Sequence, residues 1–274
     1  ALPPEQFAKL QKELPGEVFT TRTLATYSYE LNNKKAPFDN VNVRKALNLS
    51  LDRNVITDKV LGQGQTPTYV FTPTYIEEGH LIQQPAYSKE PMAQRNEEAI
   101  KLLEEAGYSK ANPLKFSILY NTNENHKKVA IAAASMWKAN TKGLIDVKLE
   151  NQEWKTYIDS RRAGRYDAAR AGWNADYNQA TTFGNYFLSN SSNNTAKYAN
   201  PEYDKAIAES YVATDAEGRA KAYAKAEEIL AKDFGIVPIF NYVNPRLVKP
   251  YVKGYSGKDP QDHIYLRNLY IIKH

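Results

Sequence analysis

The sequence predicts an α/β fold: an open, mostly parallel sheet with helices on both faces. Three observations carry this. Between Leu114 and Trp173 apolar positions switch repeatedly between strand-like and helix-like spacing. That order, strand–helix–strand–helix–strand, favours parallel strands joined by crossover helices. The length of 274 residues with 42% hydrophobic and 24% charged residues is ample for a globular core.

Taken in order, residues 4–14 read as a helix opened by Pro4 and closed by Pro15-Gly16. Thr26–Asn32 alternates Tyr27, Tyr29 and Leu31 on one face, as a strand does. Asp39 or Asn40 then caps one helix that carries Val43, Ala46, Leu47 and Ile56 inward. A Gly-, Gln-, Pro- and Thr-rich loop runs from Gly62 to Thr74. Glu97–Ala106 is helical, and Gly107 suits a left-handed cap. The α/β stretch follows: strands at Leu114–Tyr120, Ile145–Leu149 and Tyr166–Trp173, with helices at Lys127–Asn140 and Trp154–Ala163. The stretch 179–195 is polar, with Ser189–Thr195 reading as loop, 201–212 and 215–233 as helices, and Ile236–Tyr242 as a strand. From Pro245 to His274 the chain reads as irregular and strand-rich.

Composition removes several classes of function. There are no cysteines, so disulfides, thiolate catalysis, iron–sulfur clusters and cysteine-ligated zinc are excluded. The longest largely apolar run, Val129–Trp137, is about half a bilayer span. The formal charge of +5 is concentrated in the tail, where residues 244–274 hold six Lys/Arg against two Asp. Tyr251, Tyr255, Tyr265 and Tyr270 interleave with those cations, a pattern open to nucleic acid, although a solvated edge is its commoner meaning. Tyr outnumbers Phe 20 to 9, which favours wet, adaptable binding surfaces. The start at Ala1, without an initiator Met, is expected of a processed, trimmed or recombinant fragment.

Motifs exclude more than they assign. Gly62-Gln-Gly-Gln-Thr-Pro imitates a dinucleotide fingerprint, but it follows a helix and carries Pro where a helix must begin. The histidines at 80, 126, 263 and 274 lack metal-ligand spacing, and no Gly-x-Ser-x-Gly elbow is present. Glu150, Glu153, Asp159, Asp167 and Asp176 are nominally available to a glycosidase, but no spacing selects two of them.

Asp176 is distinguished by position. It lies in Ala171-Gly-Trp-Asn-Ala-Asp176-Tyr, just past the carboxyl end of a predicted strand, where open α/β sheets bind ligands. Flanked by Trp173 and Tyr177, it is placed to meet a cation; by composition alone a turn aspartate is the commoner reading. Arg161, Arg170 and His126 are the cationic counterparts. Arg161 at a helix end also complements the helix dipole. Arg170, within Ala168-Ala-Arg-Ala-Gly172, needs a carboxylate from the protein or from a ligand. His126 at a helix start can donate to an anion, though such histidines are more often exposed.

Four stretches together resemble the C-terminal half of the oligopeptide-binding proteins of bacterial ABC importers, the extracellular solute-binding protein family 5. They are Pro37–Arg53, Asn96–Tyr108, Asn200–Asp204, and Asn151–Tyr157 with Ala171–Tyr177. The resemblance implies one lobe of a type II periplasmic-binding-protein fold. Residues 28–243 are then the peptide-binding lobe, and residues 1–27 and 244–274 belong to a missing first lobe, with hinge crossings near Thr26–Leu31 and Asn241–Arg246. It further implies a non-enzymatic, periplasmic, monomeric receptor without cofactor or metal, which delivers short peptides to an inner-membrane permease and does not act on nucleic acid. Asp176 is implied to hold the peptide amine, with Trp154, Arg161, Arg170, His126, Trp173, Asn174 and Tyr177 lining the cleft or meeting carboxylates. A narrower receptor of the same fold, for a murein peptide, a nickel complex or haem, is the alternative; a carbohydrate-active hydrolase or a nucleic-acid binder ranks below it.

Overall fold

A computed structural model describes residues 2–273. Helix α1 (Pro4–Glu13) begins on a proline in its first turn, where a missing N–H is no loss. Strand β1 (Val18–Leu31) runs for 14 residues, well beyond the alternating Thr26–Asn32 segment. Helix α2 (Val41–Leu49) is capped by Asn40, whose side chain accepts from the Asn42 N–H at 2.9 Å. The single helix expected to reach Ile56 stops at Leu49. Ser50 turns its hydroxyl back to the Ala46 carbonyl, and Asp52 accepts from the Asn54 and Val55 N–H groups, opening a separate π-helical turn at Val55–Leu61. Strand β2 is short (Thr66–Pro67). Helix α3 (Met92–Glu105) starts five residues before the predicted Glu97, and Gly107 past its end has φ +91° as anticipated.

The alternating region folds as predicted into β3 (Leu114–Asn121), α4 (Glu124–Asn140), β4 (Ile145–Gln152), α5 (Trp154–Arg162) and β5 (Ala168–Asn174). The polar stretch 179–195 opens with α6 (Thr181–Gly184), where Phe183, Tyr186 and Phe187 are buried, and its Ser189–Thr195 part is loop as expected. Helices α7 (Pro201–Val212) and α8 (Ala216–Lys232) pair, and β6 (Ile236–Leu247) extends five residues past Tyr242. The tail adds the short β7 (Val252–Lys253) and β8 (Tyr270–Ile271).

Among the described residues six strands form one sheet in the order β2-β6-β1-β5-β3-β4. β3 is parallel to both β4 and β5; β1 is antiparallel to β5 and β6, and β2 to β6. The α/β class therefore holds with a mixed sheet rather than a mostly parallel one. The parallel half is the crossover unit, and the antiparallel half is built from strands near the two ends of the chain. On one face Leu47, Phe116, Ile118 and Trp137 share a core, the Trp137 indole donating to the Leu47 carbonyl at 2.9 Å. The opposite face takes α5 through Leu119, Tyr157 and Ala169. A second large core gathers Phe71, Phe183, Phe187 and Tyr203 beneath α7 and α8. No helix of the described residues is long and apolar enough to cross a membrane.

Candidate functional site

Since β4 and β5 flank β3 on opposite sides, the carboxyl end of β3 is a topological switch point. The ladder between β3 and β5 is brief, Ile118 to Ala168 and Leu119 to Ala169. Past Ala169 the strands diverge, and β5 presents an edge without a strand partner on that side. A cavity of about 650 Å³ opens there. Asn121 closes its β3 end, His126 and Trp154 stand at the first turns of α4 and α5, and Arg170, Gly172 and Asn174 come from β5. Thr23–Ala25 and Tyr242 complete the floor, while Pro260–Asp262 of the tail form a rim.

Arg170 dominates the electrostatics. Its Nη2 donates to the Tyr242 hydroxyl at 2.5 Å, and the guanidinium lies 5.2 Å from the centre of the Tyr27 ring. Its Nε has no partner, and no carboxylate of the described residues pairs with it. Burial opposes its charge, but the oxygens of Tyr242, Tyr27 and Tyr157 outweigh that and hold the guanidinium protonated.

The same environment keeps His126 neutral. Burial first, then the Arg170 charge, pulls its pKa down to about 3. Its Nδ1 is buried without a partner, and its ring lies 5.5 Å from Tyr27. Trp154, 53% exposed, stacks on Tyr157 at 5.9 Å, and the Tyr157 hydroxyl donates to the Arg170 carbonyl. Trp154 is thus a flat apolar wall fixed from behind.

The remaining expected residues divide. Asp176 is exposed two residues past the end of β5, next to Ala175 of the cavity lining. Thr182 receives the Asp176 N–H at 3.2 Å and returns its hydroxyl to the carboxylate at 3.3 Å; no cation of the described residues pairs with that carboxylate. Gln261 reaches the Asp176 carbonyl at 3.4 Å, tying the loop to the tail. Tyr177 is exposed outside the lining. Trp173 turns inward: its indole donates to Thr182 at 3.2 Å and it packs edge-on to Tyr186 at 4.9 Å. Arg161 also faces the interior. Its Nη2 donates to Glu30 at 2.8 Å, Tyr186 at 3.1 Å and Thr195 at 3.0 Å. Burial lowers its pKa, but Glu30 chiefly, with Tyr186 and Tyr157, drives it well above the usual value.

His126, Trp154, Arg170 and Asn174 therefore share one cavity, with Asp176 beside it and Arg161 and Trp173 elsewhere. Tyr242, Gly172 and Asn121 line the cavity without having been singled out; the only sequence signal for Tyr242 was its place in the Asn241–Arg246 crossing. Among the described residues no group of three or more His, Asp or Glu is positioned to hold a metal.

Residues 1–195 match the model of the bacterial extracellular solute-binding proteins, family 5 middle region. The chain is 97% identical over its full length to the periplasmic oligopeptide-binding protein OppA of Haemophilus influenzae, of which it covers 50%. It is 43% identical, again over its whole length, to the periplasmic murein peptide-binding protein of Escherichia coli, covering 50% of that protein. A crystal structure of H. influenzae OppA in complex with the peptide RPPGFSPFR superposes with a TM-score of 0.94 at 95% identity, over 100% of this chain and 53% of that one. The chain spans about half the length of the relatives it matches. With its fold and its sequence in agreement, the chain belongs to the bacterial extracellular solute-binding proteins of family 5.

Proposed function

We propose that the chain supplies one wall of a cleft that closes on short peptides in the periplasm and presents them to an inner-membrane ABC permease. It works by binding, as its family does, and not by catalysis. In this reading residues 28–243 form the lobe described above, and residues 1–27 and 244–274 belong with a second lobe. The β1–β6 ladder, unbroken in direction from Val18 opposite Leu247 to Glu30 opposite Ile236, passes both boundaries and serves as the two-stranded hinge. The complete protein acts as a monomer.

The observation that carries the reading is a cavity whose Arg170 has no carboxylate partner among the described residues, beside a free strand edge; the acid on its rim, Asp262, is paired with Arg246. A peptide of any sequence has an ammonium, a backbone and a carboxylate. Asp176 takes the ammonium, the open edge of β5 takes the backbone as an added strand, and Arg170 takes the carboxylate. Neutral His126 adds a hydrogen bond without a second charge. Side chains sit in the remaining space beside Trp154 and Asn174, with water as their polar partner. Arg161, enclosed with Glu30, holds the wall in place and makes no peptide contact.

Calorimetry on the full-length protein tests the amine clamp. Asp176→Asn is expected to weaken a free tripeptide about tenfold or more, in line with losing a charge-assisted hydrogen bond. The N-acetylated tripeptide is expected to bind poorly to both proteins and to show no such difference. Equal affinity of the free tripeptide for both proteins overturns the assignment of Asp176.

A further inference from the structure

The Arg170 guanidinium is not free to choose its direction. The group that fixes it comes from β6, on the far side of β1 from β5. Here β1 and β6 lose register: Arg22 faces Val243 and Thr26 faces Asn241, so Thr23, Leu24 and Ala25 stand opposite the single residue Tyr242. Such bulges re-aim a side chain. This one is pinned on both sides, by the Thr23 hydroxyl donating to the Tyr242 carbonyl at 3.0 Å and the Tyr75 hydroxyl donating to the Thr23 carbonyl at 2.5 Å. The Tyr242 ring is held edge-on to Phe240 at 5.2 Å and lies 5.9 Å from Tyr27.

The space in which Tyr242 meets Arg170 exists because residue 172 has no side chain. A Cβ on Gly172 would lie 3.0 Å from Arg170 Nη2 and 3.0 Å from the Tyr242 hydroxyl oxygen. The Gly172 φ is ordinary, so the glycine is needed for room rather than for backbone conformation. The Tyr242 oxygen accepts from Arg170, which leaves its own proton to point toward the cavity that both residues line.

We propose that Tyr242 is the positioning residue of the anion subsite: across the gap left by Gly172 its hydroxyl fixes the Arg170 guanidinium and offers a second donor to the same carboxylate. This rests on the reading that Arg170 meets the peptide carboxylate. Fixing the long side chain beforehand removes an ordering cost from binding. It also puts the arginine under the control of the strand pair assigned to the hinge.

The test uses the full-length protein with tri-, tetra- and penta-alanine, each as free acid and as C-terminal amide, in calorimetry. The wild-type protein is expected to prefer the acid at one of these lengths. Tyr242→Phe keeps the ring and removes one hydroxyl; it is expected to lower affinity for that acid about tenfold and to leave the amide within about twofold. Gly172→Ala keeps both polar groups but crowds them, and is expected to reduce the same preference. The His126 titration followed by NMR gives a readout that general destabilisation does not move: displacement of the guanidinium raises the His126 pKa. A wild-type preference that Tyr242→Phe leaves intact, with His126 unshifted, overturns the role of Tyr242 alone. A wild-type protein that binds acid and amide alike at all three lengths overturns the anion subsite itself, and this role with it.

Discussion

Arg161 and Arg170 are nine residues apart, both are withdrawn from bulk water, and both lie among tyrosines, yet they have opposite uses. Arg161 has an acid of its own. Glu30 accepts from its guanidinium at 2.8 Å, from the Tyr186 hydroxyl at 2.6 Å and from Thr195, and the two side chains retain 11% and 1% of their exposure. Arg170 meets neutral phenols beside a neutral imidazole, and no carboxylate of the described residues pairs with it. An ion desolvated without a counterion is costly, so the fold completes one guanidinium and leaves the other to be completed from outside. A buried arginine is scaffold where the chain supplies its acid, and a candidate for recognition where it does not.

The largest effect should come from breaking the internal pair. Arg161→Met strands the Glu30 carboxylate and is expected to cost roughly 3–5 kcal/mol in urea unfolding of the full-length protein. Peptide affinity per folded molecule should stay within a few-fold. A stability loss below about 1 kcal/mol would erase the contrast. The next effect has the opposite signature. Arg170→Met removes a cation that has no counterion in the fold, so stability should change by less than about 1 kcal/mol. Affinity for free-acid peptides should fall about 10- to 100-fold, the range of a charge-assisted hydrogen bond. If Arg170→Met unfolds the protein as readily as Arg161→Met, the two arginines do not differ in kind.

The sequence could not distinguish these arginines, for a physical reason. Glu30 is 131 residues from Arg161 in the chain, and Tyr242 is 72 from Arg170. Long-range partners leave no local pattern. Features written locally were legible: a cap at Asp39 or Asn40, which falls to Asn40, the left-handed Gly107, and the crossover unit from β3 to β5. Asp176 was legible as a residue just beyond a strand end, although its local bonds to Thr182 also fit a simple turn aspartate. The extra length of β1 was missed because Val18–Arg22 pairs with β6, a strand more than 200 residues later. The interruption after Leu49 was missed because Ser50 and Asp52 act through hydrogen bonds that periodicity does not register.

The smallest effect reads the bare charge of Arg170 through its neighbour. His126 is faced by Tyr27 from β1 and Arg170 from β5, with Lys127 and Glu124 exposed on its own helix. Its pKa of about 3 lies below the usual value near 6.5, by burial and then by Arg170. Between those two values the unfolded chain binds a proton that the folded one refuses. Stability therefore falls as pH drops below about 6.5, by at most about 1.4 kcal/mol per pH unit, and this contribution vanishes above that range. His126→Gln should flatten that part of the stability profile measured by urea unfolding at pH 7, 6 and 5, after the same series on the wild-type protein is subtracted. Arg170→Met should raise the His126 pKa in an NMR titration. A bound peptide carboxylate should raise it too, because it supplies the counterion that the fold withholds. An imidazole indifferent to both changes would mean that Arg170 does not act on this cavity, and that its lack of a paired carboxylate has no consequence for what binds there.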